Sequence, residues 1–162
     1  MLACIWQHPV QGTIHVTMPA YEDRMRPPGV SDDEFRSLTM ERTFAQYGVP
    51  SGTPYSLMEG TDVDAQHWEF RNAWEDTNCA VNMTKARAIH LEEIRRVRNA
   101  ELVKEDVTFM RAVEAGDTDT QATIATKKQT LRDIPATFDI TTGVDTPEKL
   151  KAKWPAELPA RE

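Results

Sequence analysis

The stretch GDTDT, residues 116–120, separates two long segments with the composition of helices. Gly commonly ends a helix, and Asp or Thr commonly stands just before the first residue of the next one. We therefore predict a helix from about residue 82 or 84 to residue 115, and a second over residues 119–134 that stops before Pro135. A turn this short places the helices side by side, which predicts an antiparallel helical hairpin.

Apolar residues recur along the first of these helices mostly at three- and four-residue steps, which indicates one buried face. Longer steps, such as the one from Val97 to Val103, make that apolar stripe drift around the helix. Seven basic and six acidic residues interleave over residues 83–115, as in solvated or coiled-coil-like helices. A short third helix is predicted over residues 146–153. The strong apolar anchors of the second helix are Ile124, Leu131 and Ile134.

The N-terminal half contains shorter elements. Residues 2–7 and 13–18 are rich in β-branched and aromatic residues and predict a β-hairpin. Residues 54–59 predict a third strand, while residues 19–30 contain adjacent prolines and a glycine and predict a loop. Residues 61–66 are predicted to turn the chain after the third strand.

Ser31 and Glu34 have the spacing of a capping box, in which side chain and backbone cap each other at the start of a helix. Gly48 is expected to end that helix. The predicted fold class is therefore α+β. A small acidic unit of hairpin, helix and strand over residues 1–78 precedes the antiparallel helical hairpin over residues 79–162.

Charge and composition limit the function classes. The 162 residues carry a net charge of −7, and all of it comes from residues 1–82, which hold 5 basic and 12 acidic residues. Nucleic acid is not the expected partner, because phosphate binding needs a basic face. Neither a signal peptide nor a membrane span is expected. Cys4 and Cys79 are expected to be free thiols, although a disulfide between them is possible.

No arrangement of residues predicts catalysis. The chain contains no nucleophile elbow, phosphate-binding loop or dinucleotide-binding glycine motif. The histidines do not show the spacing of metal ligands, so neither a metal nor another cofactor is expected. The four histidines are His8, His15, His67 and His90.

The segment HWEFRNAWE, residues 67–75, concentrates large aromatic side chains. Trp68, Phe70 and Trp74 supply much apolar area for a chain of this size, which favours a place in the core. The alternative is an exposed anchor for a partner, since Trp and Arg, here Arg71, are frequent at the centre of interfaces.

The C-terminal part resembles tail fibre assembly proteins of tailed bacteriophages. Those chains commonly carry a helix that ends in a string like Y-R-Q-A-L-R-D-I-P, followed by a Trp-Pro pair. KKQTLRDIP, residues 127–135, matches that string from Gln129 onward except at Thr130, and Trp154 with Pro155 supplies the pair. Residues 70–75 and 82–102 are also similar to small phage proteins encoded among tail genes.

The resemblance implies protein–protein contact without catalysis, with the tail fibre or another tail or virion protein as partner. It places the chain in the host cytoplasm during infection, or in the virion. The alternatives are a structural protein bound permanently to tail, baseplate or capsid, and a small phage enzyme or host-takeover binder. A homo-oligomer is also considered. The residues expected to contact a partner are Trp68, Phe70, Arg71, Trp74, Leu131, Arg132, Ile134 and Trp154.

Overall fold

The chain forms two compact units, Met1–Asn82 and Met83–Glu162. The first contains a three-stranded antiparallel sheet with helices, and the second contains a helical hairpin, so the predicted α+β class is confirmed. Part of the loop predicted over residues 19–30 lies outside the described residues. The computed structural model describes residues 2–19, 26–65 and 67–161.

The sheet of the first unit has its first strand in the centre. β1 (Leu2–Gln7) pairs antiparallel with β2 (Ile14–Thr17) on one side and with β3 (Tyr55–Glu59) on the other. Trp6 of β1 stands opposite His15 in β2 and opposite Tyr55 in β3. The predicted hairpin and third strand are therefore confirmed.

Helix α1 (Asp32–Tyr47) begins and ends as its sequence predicts. The Ser31 hydroxyl accepts a hydrogen bond from the Glu34 N–H at 3.3 Å, and the Glu34 carboxylate accepts one from the Ser31 N–H at 2.9 Å. The Glu34 carboxylate also accepts a hydrogen bond from the Ser31 hydroxyl at 2.8 Å, and this bond together with the one from the Ser31 N–H holds the pKa of the Glu34 carboxyl below its ordinary value. Gly48 ends the helix at φ 66°, a left-handed conformation that glycine adopts without steric cost.

Strand β1 contributes to two cores because successive side chains of a strand alternate between its faces. On one face Ala3 and Ile5 pack with Val63, Trp74 and Cys79. On the other face, toward α1, the buried cluster contains Cys4, Trp6, Met40, Phe44 and Val49. Both faces of the central strand are therefore covered.

The turn predicted over residues 61–66 is wrong, because Gly60–Ala65 forms a helix, α2. Val63 explains the difference, since its side chain is fully buried against Ala3 and Ile5. Burial of one apolar side chain can override a weak local preference for a turn.

The second unit is an antiparallel pair of helices, as predicted. α3 (Met83–Glu114) is followed by Gly116 at φ 70°, and α4 (Thr118–Thr137) begins after Asp117. The Asp117 carboxylate caps α4 by accepting hydrogen bonds from the Thr120 N–H at 3.0 Å and the Thr120 hydroxyl at 2.6 Å. The GDTDT stretch thus ends one helix and begins the next.

Helix α4 does not stop before Pro135, which corrects the prediction. The helix continues to Thr137, and Pro135 lies in its last turn. A proline here removes a single backbone hydrogen bond. The chain beyond it is held by the Phe138 N–H, which donates to the Ile134 carbonyl at 2.9 Å, and by the Thr137 hydroxyl, which donates to the Asp133 carbonyl at 3.1 Å.

The core of the second unit lies where α3 and α4 meet the C-terminal segment. The predicted short helix is confirmed as α5 (Pro147–Ala152), with Thr146 at its N-cap. None of the described helices is long and apolar enough to cross a membrane. The buried cluster of this unit contains Ile94, Leu131, Ile134 and Leu158, and the partly buried residues packed on it are Val97, Leu102, Phe138 and Trp154.

Candidate protein interaction surfaces

The aromatic segment after α2 combines core and surface positions. It forms a 3-10 helix, Trp68–Ala73, within which Phe70 departs from helical backbone angles. Phe70 is 1% exposed, and Trp74, just after the helix, is 4% exposed. Trp68 is 38% exposed. The core interpretation thus holds for Phe70 and Trp74, whose side chains stabilise the first unit and are not accessible to a partner.

Trp68 is exposed but held in place by two neighbours. Its ring meets the buried Trp74 ring edge to face, with 5.7 Å between centroids and an interplanar angle of 74°. The Arg71 guanidinium lies over the Trp68 ring, 5.0 Å from its centroid. Edge-to-face aromatic pairs and cation–π contacts are both attractive, so the ring has a preferred position before any partner binds. We call Trp68 and Arg71 the Trp68 patch.

The second unit contains four of the residues predicted to bind a partner, and these separate into a core group and a surface group. Leu131 and Ile134 are buried in the cluster of that unit, so their role is to hold the hairpin together. Arg132 is exposed. Trp154 is partly buried against the same cluster, and its Nε1–H donates to the Pro159 carbonyl at 2.8 Å.

The outer half of α3 carries an exposed apolar surface, formed by the part of the apolar stripe that drifts around the helix. We call it the α3 stripe. At 100° per residue its side chains span one side of the helix. In the sequence, the feature that indicates this exposure is the long step from Val97 to Val103, because it moves the apolar residues away from the face that α4 covers. The members and their exposed fractions are Val103 63%, Val107 48%, Met110 56% and Val113 44%.

Two histidines of the first unit, His8 and His15, take part in an aromatic cluster. The His15 ring stacks on Trp6 with 4.4 Å between centroids, and the His8 ring lies 6.3 Å from it. Burial and the neighbouring His8 lower the pKa of His15. The His8 Nδ1 accepts hydrogen bonds from the N–H groups of Val10 and Gln11, each at 3.2 Å, so it holds the β1–β2 turn.

The two cysteines are buried, and the described acidic residues form no metal-binding cluster. Cys4 and Cys79 are buried and unbridged, and burial raises the pKa of each thiol to about 11. Both thiols are therefore protonated, and weak nucleophiles, at neutral pH. Within residues 2–19, 26–65 and 67–161, no three His, Cys, Asp or Glu side chains are placed to hold a metal ion.

Comparison with known proteins does not assign this chain to a family. No protein-family model, curated protein or solved structure matches this chain. The resemblance to tail fibre assembly proteins therefore stays a prediction based on the motifs in residues 70–75, 82–102, 127–135 and 154–155.

Proposed function

We propose that this chain is a non-catalytic protein of a tailed bacteriophage that assists assembly or attachment of the tail fibre by protein–protein contact. The observation that supports contact most directly is the Trp68 patch. The tail as the setting rests on the string over residues 127–135 and on the pair Trp154-Pro155.

The Trp68 patch has the chemistry of a binding anchor. Tryptophan and arginine are enriched among the residues that dominate binding energies at protein interfaces. Trp68 offers apolar area, and its contacts with Trp74 and Arg71 reduce the conformational freedom lost on binding.

A β-rich tail fibre would benefit from such a helper while it folds. Fibre tips rich in β-strands expose unpaired strand edges and apolar surface until they close, and these features promote aggregation. A protein that covers such a surface through an aromatic anchor would prevent that aggregation without any chemical step.

The direct test is co-expression with the tail fibre protein of the phage that encodes this chain. We expect the two proteins to co-purify, and Trp68→Ala to weaken the complex at least about tenfold, as expected for an aromatic anchor. Leu57→Ala is the matched control. Leu57 is exposed in the same unit but stands opposite Cys4, so it lies on the sheet face away from the Trp74 cluster. Equal loss in both variants, or no complex at all, would contradict the proposal.

Quantitative mass spectrometry of purified phage particles separates assistance from permanent attachment. An assembly protein is abundant in infected cells and missing from particles. A structural protein of the tail, baseplate or capsid is present in particles in a fixed ratio to other tail proteins. A chain that is missing from particles and does not affect fibre solubility would favour the remaining alternative, a small enzyme or host-directed binder.

A further inference from the structure

Most of the α3 stripe lies on the side of α3 that is turned away from α4, and Asp106, which pairs with Lys128 of α4, marks the border near Val113. On the α4 side, Ala112 is buried and its carbonyl accepts a hydrogen bond from the Gln121 side chain at 3.2 Å. Also on that side, the Lys127 ammonium lies 2.5 Å from the Glu105 carboxylate. Val107 and Met110 stand more than a third of a helical turn away from Ala112 and Glu105. The four apolar side chains of the stripe therefore remain exposed within the second unit.

The spacing of the stripe is that of a coiled-coil seam. Val103, Val107 and Met110 follow each other at steps of four and three residues, which are positions d, a and d of a heptad. Val and Met at these positions can pack as knobs between the side chains of a facing helix. The sequence also predicts a coiled-coil-like character for this helix from its interleaved charges.

The charges beside the seam favour a second copy of α3, in parallel orientation, as the facing helix. Asp106 occupies position g and Arg111 occupies position e, five residues later. In a parallel pair of identical helices, position g of one chain lies beside the following position e of the other, so Asp106 meets Arg111 twice by symmetry. In an antiparallel pair position g lies beside position g and position e beside position e, so Asp106 and Arg111 would not meet across the seam.

The ion pairs that Asp106 and Lys104 already form within the chain do not prevent this parallel pairing. Asp106 forms an ion pair with Lys128 of α4, yet 58% of its side chain remains exposed, so one carboxylate can serve both partners. The other basic residue near position e, Lys104, lies 2.6 Å from Glu101 of its own helix and adds no unbalanced charge to the seam.

We propose that the α3 stripe binds a second copy of this chain, with the two α3 helices parallel about a two-fold axis. A seam of about two heptads is smaller than a standard interface, so the dimer should be reversible and concentration-dependent. This surface is separate from the Trp68 patch, and a dimer would present that patch twice, which strengthens binding to a symmetric partner.

The test is sedimentation of the full chain over about 1 to 300 μM, the range in which interfaces of this size dissociate. We expect the mass to rise from 18.4 kDa toward twice that value. Val107→Asp should remove the association, and Val10→Asp, at an 89% exposed apolar position in the first unit, should keep it. A chain that is monomeric throughout, or a Val107→Asp variant that associates like the wild type, would overturn the proposal.

Two further variants test the parallel arrangement. Arg111→Asp should weaken association about tenfold, and the double variant Asp106→Lys/Arg111→Asp should restore it, because the g-to-e pair is recreated with the charges exchanged. Oxidised Met110→Cys should form a covalent dimer, whereas Thr108→Cys, exposed on another side of α3, should not. Unchanged association in Arg111→Asp, or equal cross-linking in both cysteine variants, would rule out the parallel pairing.

If the chain stays monomeric and Val107→Asp instead loses the co-purifying fibre protein, the stripe belongs to the fibre. The self-association inference would then be wrong, while the proposed function would stand. If the chain dimerises but does not bind the fibre protein, the self-association inference would stand and the proposed function would be wrong.

Discussion

Replacing Trp74 with alanine is the most informative test of the first unit. The side chain is 4% exposed and packs with Ala3, Ile5 and Val63 on one face of β1. Removing a buried aromatic side chain costs about 3–5 kcal/mol of unfolding free energy, through lost burial and the cavity left behind. Loss of the edge-to-face contact with Trp68 accounts for about 0.5–1.5 kcal/mol of that cost.

This loss is large relative to the stability of a small unit. Domains are stable by about 5–15 kcal/mol, so at the middle of that range Trp74→Ala should remove about 30–50% of the unfolding free energy. For a unit of this size each kcal/mol shifts the melting temperature by about 4–8 °C, which predicts a fall of at least about 12 °C.

Native-state hydrogen exchange of the β1 amides is the appropriate assay, because it reports the opening of the first unit separately from the helical hairpin. Trp68→Ala is the matched control, since Trp68 is 38% exposed, loses less buried area than Trp74 and should therefore cost less than Trp74→Ala. A loss below about 1 kcal/mol in Trp74→Ala, or equal losses in both variants, would refute the assignment of Trp74 to the core.

Three further predictions concern both units. Leu131→Ala should cost about 2–5 kcal/mol in the hairpin, measured by exchange of α4 amides, because its side chain is 1% exposed; a loss below 1 kcal/mol would contradict this. The pKa of His15 is lower in the folded chain than its ordinary 6.5, so the stability that depends on neutral His15 is complete above pH 6.5 and is lost as the pH falls through the folded pKa. His15→Gln should therefore flatten the pH dependence of the melting temperature in acid. An unchanged slope would argue against a role of His15 in that dependence. The pKa values of Cys4 and Cys79 are raised from 9.0 to about 11, so stability should fall between pH 9 and 11, and neither thiol should react with a thiol reagent at neutral pH without unfolding.

Local signals predicted the start and end of helices well. The capping box at Ser31, the left-handed Gly48 and the cap at Asp117 each depend on residues within four positions of one another, so the sequence contains all the information they need.

Features that depend on distant contacts were not predictable from the sequence. Val63 is helical because β1 lies beside it, and the chain remains helical beyond Pro135 because Ile134 and Phe138 share a core cluster. Exposure of Val107 and Met110 depends on which side of α3 the second helix covers, and the mixed periodicity of α3 does not decide that side.

The two ends of the helical hairpin differ in how they are stabilised, which links the α3 stripe to stability. The main cluster lies near Ile94 and Leu131, whereas between residues 103 and 130, all within the described part of the chain, only Ala112 and Ile124 are buried. The rest of that end relies on ion pairs at the surface, such as Glu105 with the exposed Lys127, and pairs of this kind contribute little in water. An end with so little buried apolar area should open locally at low cost.

A second copy on the α3 stripe would bury Val107 and Met110 and stabilise that end by mass action. We therefore expect α3 amides around residue 108 to exchange about tenfold more slowly when the protein concentration rises from about 1 to 300 μM, with α4 amides near Leu131 unchanged. Val107→Asp should remove the concentration dependence. Concentration-independent exchange in the wild type would show that this end is stable alone, and the link between dimerisation and the outer hairpin would be refuted.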